Sequence, residues 1–137
     1  MAELIQLAAS FRRAIVRAVS VEPHIYITLR NFPRGACGDA SLLLARYFKD
    51  EGLSGFDYVL GQRDGCSHAW LERRGLIVDI TGDQFEEFSV DVFVGRDSVW
   101  HKSFNGEIQH PADYSVYGER IAAELEGAYC TISGYLT

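Results

Sequence analysis

Cysteine is scarce: Cys37, Cys66 and Cys130 are the only three in 137 residues. An odd number at irregular spacing builds no disulfide framework, and a reducing cytoplasm is the simplest setting. Long apolar runs are missing, so no bilayer span is expected. Glu3, Gln6, Arg12, Arg13 and Arg17 interrupt any hydrophobic segment at the start, which excludes the pattern of a secretory signal. Basic charge is in deficit, with 13 Lys and Arg against 19 Asp and Glu and a net charge of −6. A phosphate-binding surface needs the opposite balance, so nucleic acid is not the expected partner. No Gly-rich phosphate loop suggests a nucleotide or coenzyme, and no cofactor is expected. C-x-x-C and H-E-x-x-H spacings are absent too. A zinc site drawn from Cys37, Cys66, His68 and Cys130 would lack any such support, and no metal is expected.

What remains is a chain that should fold. Hydrophobic residues make up 47% and charged ones 23%, and the length suits one domain over residues 1–137. Leu4, Leu7, Ala8, Phe11, Ala14, Ile15 and Ala18 recur at three- and four-residue steps, predicting an amphipathic helix over 2–19. Such a helix packs on a domain, or lies on a partner or a membrane surface. Ile25–Leu29 reads as a short strand between Pro23 and Pro33. Pro33 and Gly35 then break regular structure before Cys37. Leu42, Leu43, Leu44, Ala45, Tyr47 and Phe48 follow as an apolar run too thick for a surface helix. Gly52 suits the stop of a helix over 37–50.

Strands are expected at 56–62, 67–72, 76–81 and, with weak alternation, 88–94. Arg63-Asp64-Gly65 and Arg73-Arg74-Gly75 mark the turns. Residues 95–111 read as loop. Asp113 or Ser115 could cap a last helix whose face carries Tyr117, Ile121, Leu125 and Ala128. The order is α+β: helices, a consecutive antiparallel sheet, then a helix.

The chemistry-bearing residues lie on this frame. A cysteine opening a helix feels the positive end of the macrodipole, which favours the reactive thiolate. With Arg74-Gly75 as a two-residue turn, Arg73 faces Leu76 and Trp70 faces Asp79. His68 then shares a face with Trp70, diagonal to Asp79 and within side-chain reach. Cys37 as nucleophile, His68 as base and acid, and Asp79 as the carboxylate orienting the ring form one constellation. Asp83 is the alternative carboxylate. Taken singly, each residue also has a plain reading: a buried cysteine, a satisfied strand histidine, a hairpin carboxylate. Gln84 is a candidate amide donor to an oxyanion, beside the Cys37 backbone N–H. Trp70 shields the pair, is simple core or lines a substrate groove, for which Trp100 and His101 are further candidates.

Cys37, then His68-Ala69-Trp70-Leu71-Glu72 on a strand, then Asp79 on the next strand resembles the transglutaminase-like branch of the papain-like cysteine enzymes. The resemblance covers roughly 37–85 and extends to small bacterial members, including leader-peptide-processing peptidases. It implies a cysteine-bearing central helix packed on an antiparallel sheet. It also implies chemistry on a peptide or other amide-bearing substrate, with a protein partner possible. Asn31 is similar in position to the upstream amide of papain-like enzymes, although that residue is Gln there and Pro33 intervenes here. The branch holds hydrolases, acyl and amide transferases, and proteins that bind without catalysis. A thiol hydrolase leads, with transfer or a non-catalytic binding protein as alternatives.

Overall fold

The computed structural model describes all 137 residues. α1 spans Ala2–Val21 and buries Leu4, Ala8, Phe11, Ala14, Ile15 and Ala18, the stripe its periodicity predicts. It runs slightly past the expected end and stops at Glu22, which is extended before Pro23, where proline disfavours helical backbone.

The strand expected at Ile25–Leu29 does not form. A 3-10 turn occupies Ile27–Leu29. Ile25 and Leu29 are buried while Ile27 is 68% exposed. A strand would have placed all three on one face; here the inward spacing is four, and the segment turns instead of pairing.

α2 spans Cys37–Asp50. Ala40, Ser41, Leu42, Leu43, Leu44, Ala45 and Phe48 are all buried, so the helix is enclosed on several sides. Gly52, at φ +83°, supplies the left-handed residue that ends it.

Five strands form one antiparallel sheet in the order β4-β3-β2-β1-β5. They are β1 at Asp57–Arg63, β2 at Cys66–Arg73, β3 at Leu76–Asp79, β4 at Phe93–Gly95 and β5 at Glu107–Pro111. Arg74 and Gly75 both have positive φ, which makes the two-residue turn the sequence predicts, with Arg73 opposite Leu76. Asp64 and Gly65 repeat the device between β1 and β2.

The strand expected over 88–94 shrinks to Phe93–Gly95. Phe88 leaves the sheet to stack on Trp100, with ring centroids 4.1 Å apart. The loop expected over 95–111 contains a helical turn, α3 at Val99–Lys102, and the edge strand β5. β5 escaped notice because it has little alternation to read: Glu107, Ile108 and Gln109 are all exposed.

Asp113 does cap a segment, but it is the 3-10 turn Tyr114–Tyr117. α4 begins after Gly118, at Glu119, and runs to Ser133. Its buried residues are Leu125, Ala128, Tyr129 and Ile132, while Tyr117 and Ile121 are 37% and 43% exposed. Gly118 resets the register, so the expected face does not continue through it.

The sheet has two differently covered faces. Leu71, Val78 and Ile80 join α1, α2 and α4 in the main core. Val59, Trp70, Ile77 and Phe104 form a smaller core on the other face. Gly61, opposite His68 in the β1–β2 ladder, lets the chain at Phe104 come close: a Cβ there would lie 2.6 Å from the Phe104 carbonyl oxygen. Gly61→Ala should therefore destabilise the fold by about 1–3 kcal/mol, the usual cost of overpacking. Urea unfolding, read as a shifted midpoint at unchanged slope, checks this.

Candidate functional site

Cys37 is the first residue of α2, and the buried N-cap, Ala36, carries no side chain that can cap it. The first-turn N–H groups have no intrahelical partners, so the helix presents its positive end at the thiol. Sheet parity alone would separate this thiol from His68. α2 packs on the Leu71 and Val78 face, whereas His68 and Trp70 point to the other.

A break in the β2–β3 ladder joins them. The pairing runs from Arg73↔Leu76 to Leu71↔Val78 and stops. Continued, it would pair Trp70 with Asp79 and Ala69 with Ile80. Instead, the Ile80 carbonyl accepts a hydrogen bond from Arg12 at 2.5 Å. The Ala69 backbone N–H helps to hold the Cys37 thiol below its ordinary value. The start of α2 meets this slot, close enough to the His68 ring for each group to shift the ionisation of the other.

Behind His68 is a fully enclosed carboxylate. Asp79 Oδ2 lies 2.8 Å from His68 Nε2 and 2.7 Å from His101 Nε2. Its Oδ1 accepts from the Thr81 backbone N–H at 2.9 Å. His68, Asp79 and His101 are 0%, 1% and 1% exposed. His101 is fixed in turn by Ser98. The Ser98 hydroxyl oxygen accepts the His101 backbone N–H at 3.1 Å and lies 2.5 Å from His101 Nδ1. The hydroxyl therefore donates to Nδ1, leaving Nε2–H to donate to Asp79. On the other side of His68, Gln84 Nε2 sits 3.1 Å from Nδ1.

These contacts set the ionisation. Burial works against charge on His68, but the bond to Asp79 and the nearby Cys37 raise its pKa to about 9. Burial also pushes the Cys37 thiol up. The His68 hydrogen bond and charge, the Ala69 N–H and the Gln84 amide outweigh it and bring the thiol below its ordinary value. Burial raises Asp79, and the two histidines overcome that and hold it well below the carboxylate range. The Cys37 and His68 shifts run in opposite directions, each group favouring the charged form of the other.

The structure gathers Cys37, His68, Asp79 and Gln84. Asn31 is exposed, and its side chain makes no hydrogen bond to them. Asp83, the alternative carboxylate, pairs with Arg12 at 2.8 and 2.9 Å and not with His68. Trp70 is 2% exposed, so it packs under His68 rather than lining an open groove. Trp100 is half-buried, edge-on to His68, with its indole N–H donating to Glu87. His101 is likewise no groove wall but a second imidazole on Asp79. Its role was hidden by distance in sequence, although Ser98-x-x-His101 has the spacing of a helix cap.

His68, Asp79 and His101 offer three metal-ligating atoms within 4.8 Å of one another. Both ring nitrogens stand at hydrogen-bonding distance from one carboxylate oxygen, so this geometry is that of a hydrogen-bonded relay. A concavity of about 780 Å³ lies at the other end of α2 among Arg46, Phe56, Tyr114 and Glu126, and shares no residue with the cluster. No helix is long and apolar enough to cross a membrane.

Two measurements probe the ionisation. Cys66 and Cys130 are more exposed than Cys37, so access alone favours their modification. At about pH 6–7 iodoacetamide should nevertheless label Cys37 first, because thiolate content governs the rate. Peptide mapping after brief exposure checks the order. Stability should vary with pH in two directions. The raised His68 pKa contributes stability that is complete below about 6.5 and lost as pH climbs through about 9. The lowered Asp79 pKa contributes stability present above about 3.9 and lost as pH falls through its folded value. Urea midpoints across pH should show both declines, and Asp79→Asn should flatten the alkaline one.

Compared with family models, curated proteins and solved structures, the chain matches none.

Proposed function

We propose that this protein is a cysteine-dependent hydrolase of an amide or peptide bond, working through an acyl-enzyme on Cys37. One observation carries the reading: a cysteine opens a helix beside an imidazole whose Nε2 is held by a buried carboxylate. The Cys37–His68–Asp79 order is also where the chain resembles the transglutaminase-like branch of the papain-like enzymes.

The Cys37 sulfur attacks the carbonyl carbon, and the carbonyl oxygen takes up the negative charge. The Cys37 backbone N–H, at the helix start, and the Gln84 carboxamide are available as donors to that charge. The His68 imidazolium gives its Nδ1 proton to the leaving amine, and the bond between carbon and nitrogen breaks. Water then enters, His68 takes one of its protons, and the thioester is cleaved to acid and free thiol. Asp79 keeps the ring oriented and balances its charge throughout. His101 acts through Asp79 as a positioning residue, supplying a second donor that keeps the carboxylate ionised and fixed.

Incubation with a library of peptides carrying internal and side-chain amides, followed by mass spectrometry, tests the reading. A hydrolysed product should appear, with an acyl adduct on Cys37 trapped at low pH. His68→Ala should abolish turnover and slow Cys37 alkylation sharply. Asp79→Asn should slow alkylation less, and the double variant should be no worse than His68→Ala, since both act through one ion pair. A Cys37 alkylated no faster than an unperturbed thiol, with neither substitution changing its pH profile, would overturn the assignment in favour of a binding protein.

A further inference from the structure

Beside the first turn of α2 stands a phenol with no partner in the protein. Tyr58 lies on β1, on the sheet face that α2 covers. Its hydroxyl hangs over Gly38, the residue after the nucleophile, so closely that a Cβ on Gly38 would lie 2.8 Å from the oxygen. Gly38 is therefore the residue that admits this hydroxyl to the first turn of α2.

The ring is held from behind. It stacks on His110, with centroids 5.2 Å apart and planes within 14°. His110 Nδ1 lies 2.8 Å from the Pro111 carbonyl, to which it donates, so Nε2 accepts from the Tyr117 hydroxyl at 2.7 Å. Both nitrogens of the supporting imidazole are committed, yet the Tyr58 hydroxyl makes no hydrogen bond within the protein. The hydroxyl is not sealed from solvent, so it can exchange water for the oxygen of a ligand. Burial and the neighbouring Cys37 hold its pKa up at about 12, so it remains a donor across the physiological range.

The geometry points to Tyr58 as a catalytic hydrogen-bond donor to the substrate carbonyl, acting at the first turn of α2 where an oxyanion on Cys37 would form. This rests on the acyl-enzyme reading above. No covalent step is added: the phenol lends its O–H to the oxygen as charge develops and keeps its proton when the intermediate collapses. A donor fixed in advance by stacking and a clamped imidazole pays little to reorganise at that moment.

Two reagents separate this role from simple packing. p-Nitrophenyl acetate acylates Cys37 through a tetrahedral oxyanion; iodoacetamide alkylates the same sulfur at a saturated carbon, where none forms. In Tyr58→Phe, acylation above a Cys37→Ala background should fall on the order of 10²-fold, the usual loss of one oxyanion donor. Alkylation should keep the wild-type rate and pH profile. Gly38→Ala displaces the hydroxyl and should reproduce the acylation defect. Added to Tyr58→Phe it should cost nothing further, because the atom it strikes has gone.

Unchanged acylation in Tyr58→Phe overturns the proposal. So does a parallel fall of acylation and alkylation, which would make Tyr58 a prop for the thiol. A wild-type Cys37 inert to both reagents would instead remove the hydrolase reading, and this inference with it.

Discussion

Asp79 is the charge on which the site depends. A carboxylate this deeply buried is tolerated only when nearly all its hydrogen-bonding capacity is filled. Two imidazole nitrogens meet one oxygen and the Thr81 N–H meets the other. The enclosure that makes the charge costly also strengthens these bonds, because Trp70, Phe85, Trp100 and Phe104 surround the His68 ring and leave little polarisable solvent near it. The small aromatic core on this face is therefore electrostatic equipment as well as packing. It raises the cost of a lone proton shift and ties the state of His68 to that of Cys37.

The β2–β3 ladder shows how a two-layer fold brings a helix residue to a side chain on the far face of a sheet. Three residue pairs hold the hairpin and then pairing ends. The backbone groups this releases are reused. Ile80 offers its carbonyl to Arg12, and the Ala69 N–H helps to lower the Cys37 thiol's pKa. Arg12 also grips Asp83 and the Asp91 carbonyl, so one cation from α1 holds the strand ending and the following turn in place. That turn carries Gln84. Arg12 lies on the polar side of an amphipathic helix by pattern, yet here it organises the approach to the site.

What could be read from the sequence followed strong local physics. The first two helices, the paired hairpins and the Arg73↔Leu76 register come from periodicity and turn residues, and that register places His68 near Asp79. What could not be read came from long-range partners. Ile25–Leu29 reads as a strand because β-branched residues cluster there, but its inward residues lie four apart and the segment turns instead of pairing. β5 has little alternation because its side chains are exposed, and it exists only because β1 offers an edge. His101 carries no local sign of its role; only a fold that returns α3 to the end of β3 could reveal it. Trp70 and His101 were assigned to a groove on chemical character, and the structure spends both on enclosure.

This distribution has a consequence for access. His68 and Asp79 are sealed, while Cys37 is only partly covered. Anything that reacts with the pair must arrive through the sulfur, at the helix terminus, and the polar groups it meets there are set by α2, β1 and Gln84 rather than by the aromatic side. The sealed side governs how much thiolate is present; the open side governs what the thiolate can touch. Separating the two on opposite faces of one sheet allows the rim to vary without disturbing the buried charge. The site's acid–base character should therefore be more sensitive to changes around Trp70 and His101 than to changes at the exposed loops beside Asn31.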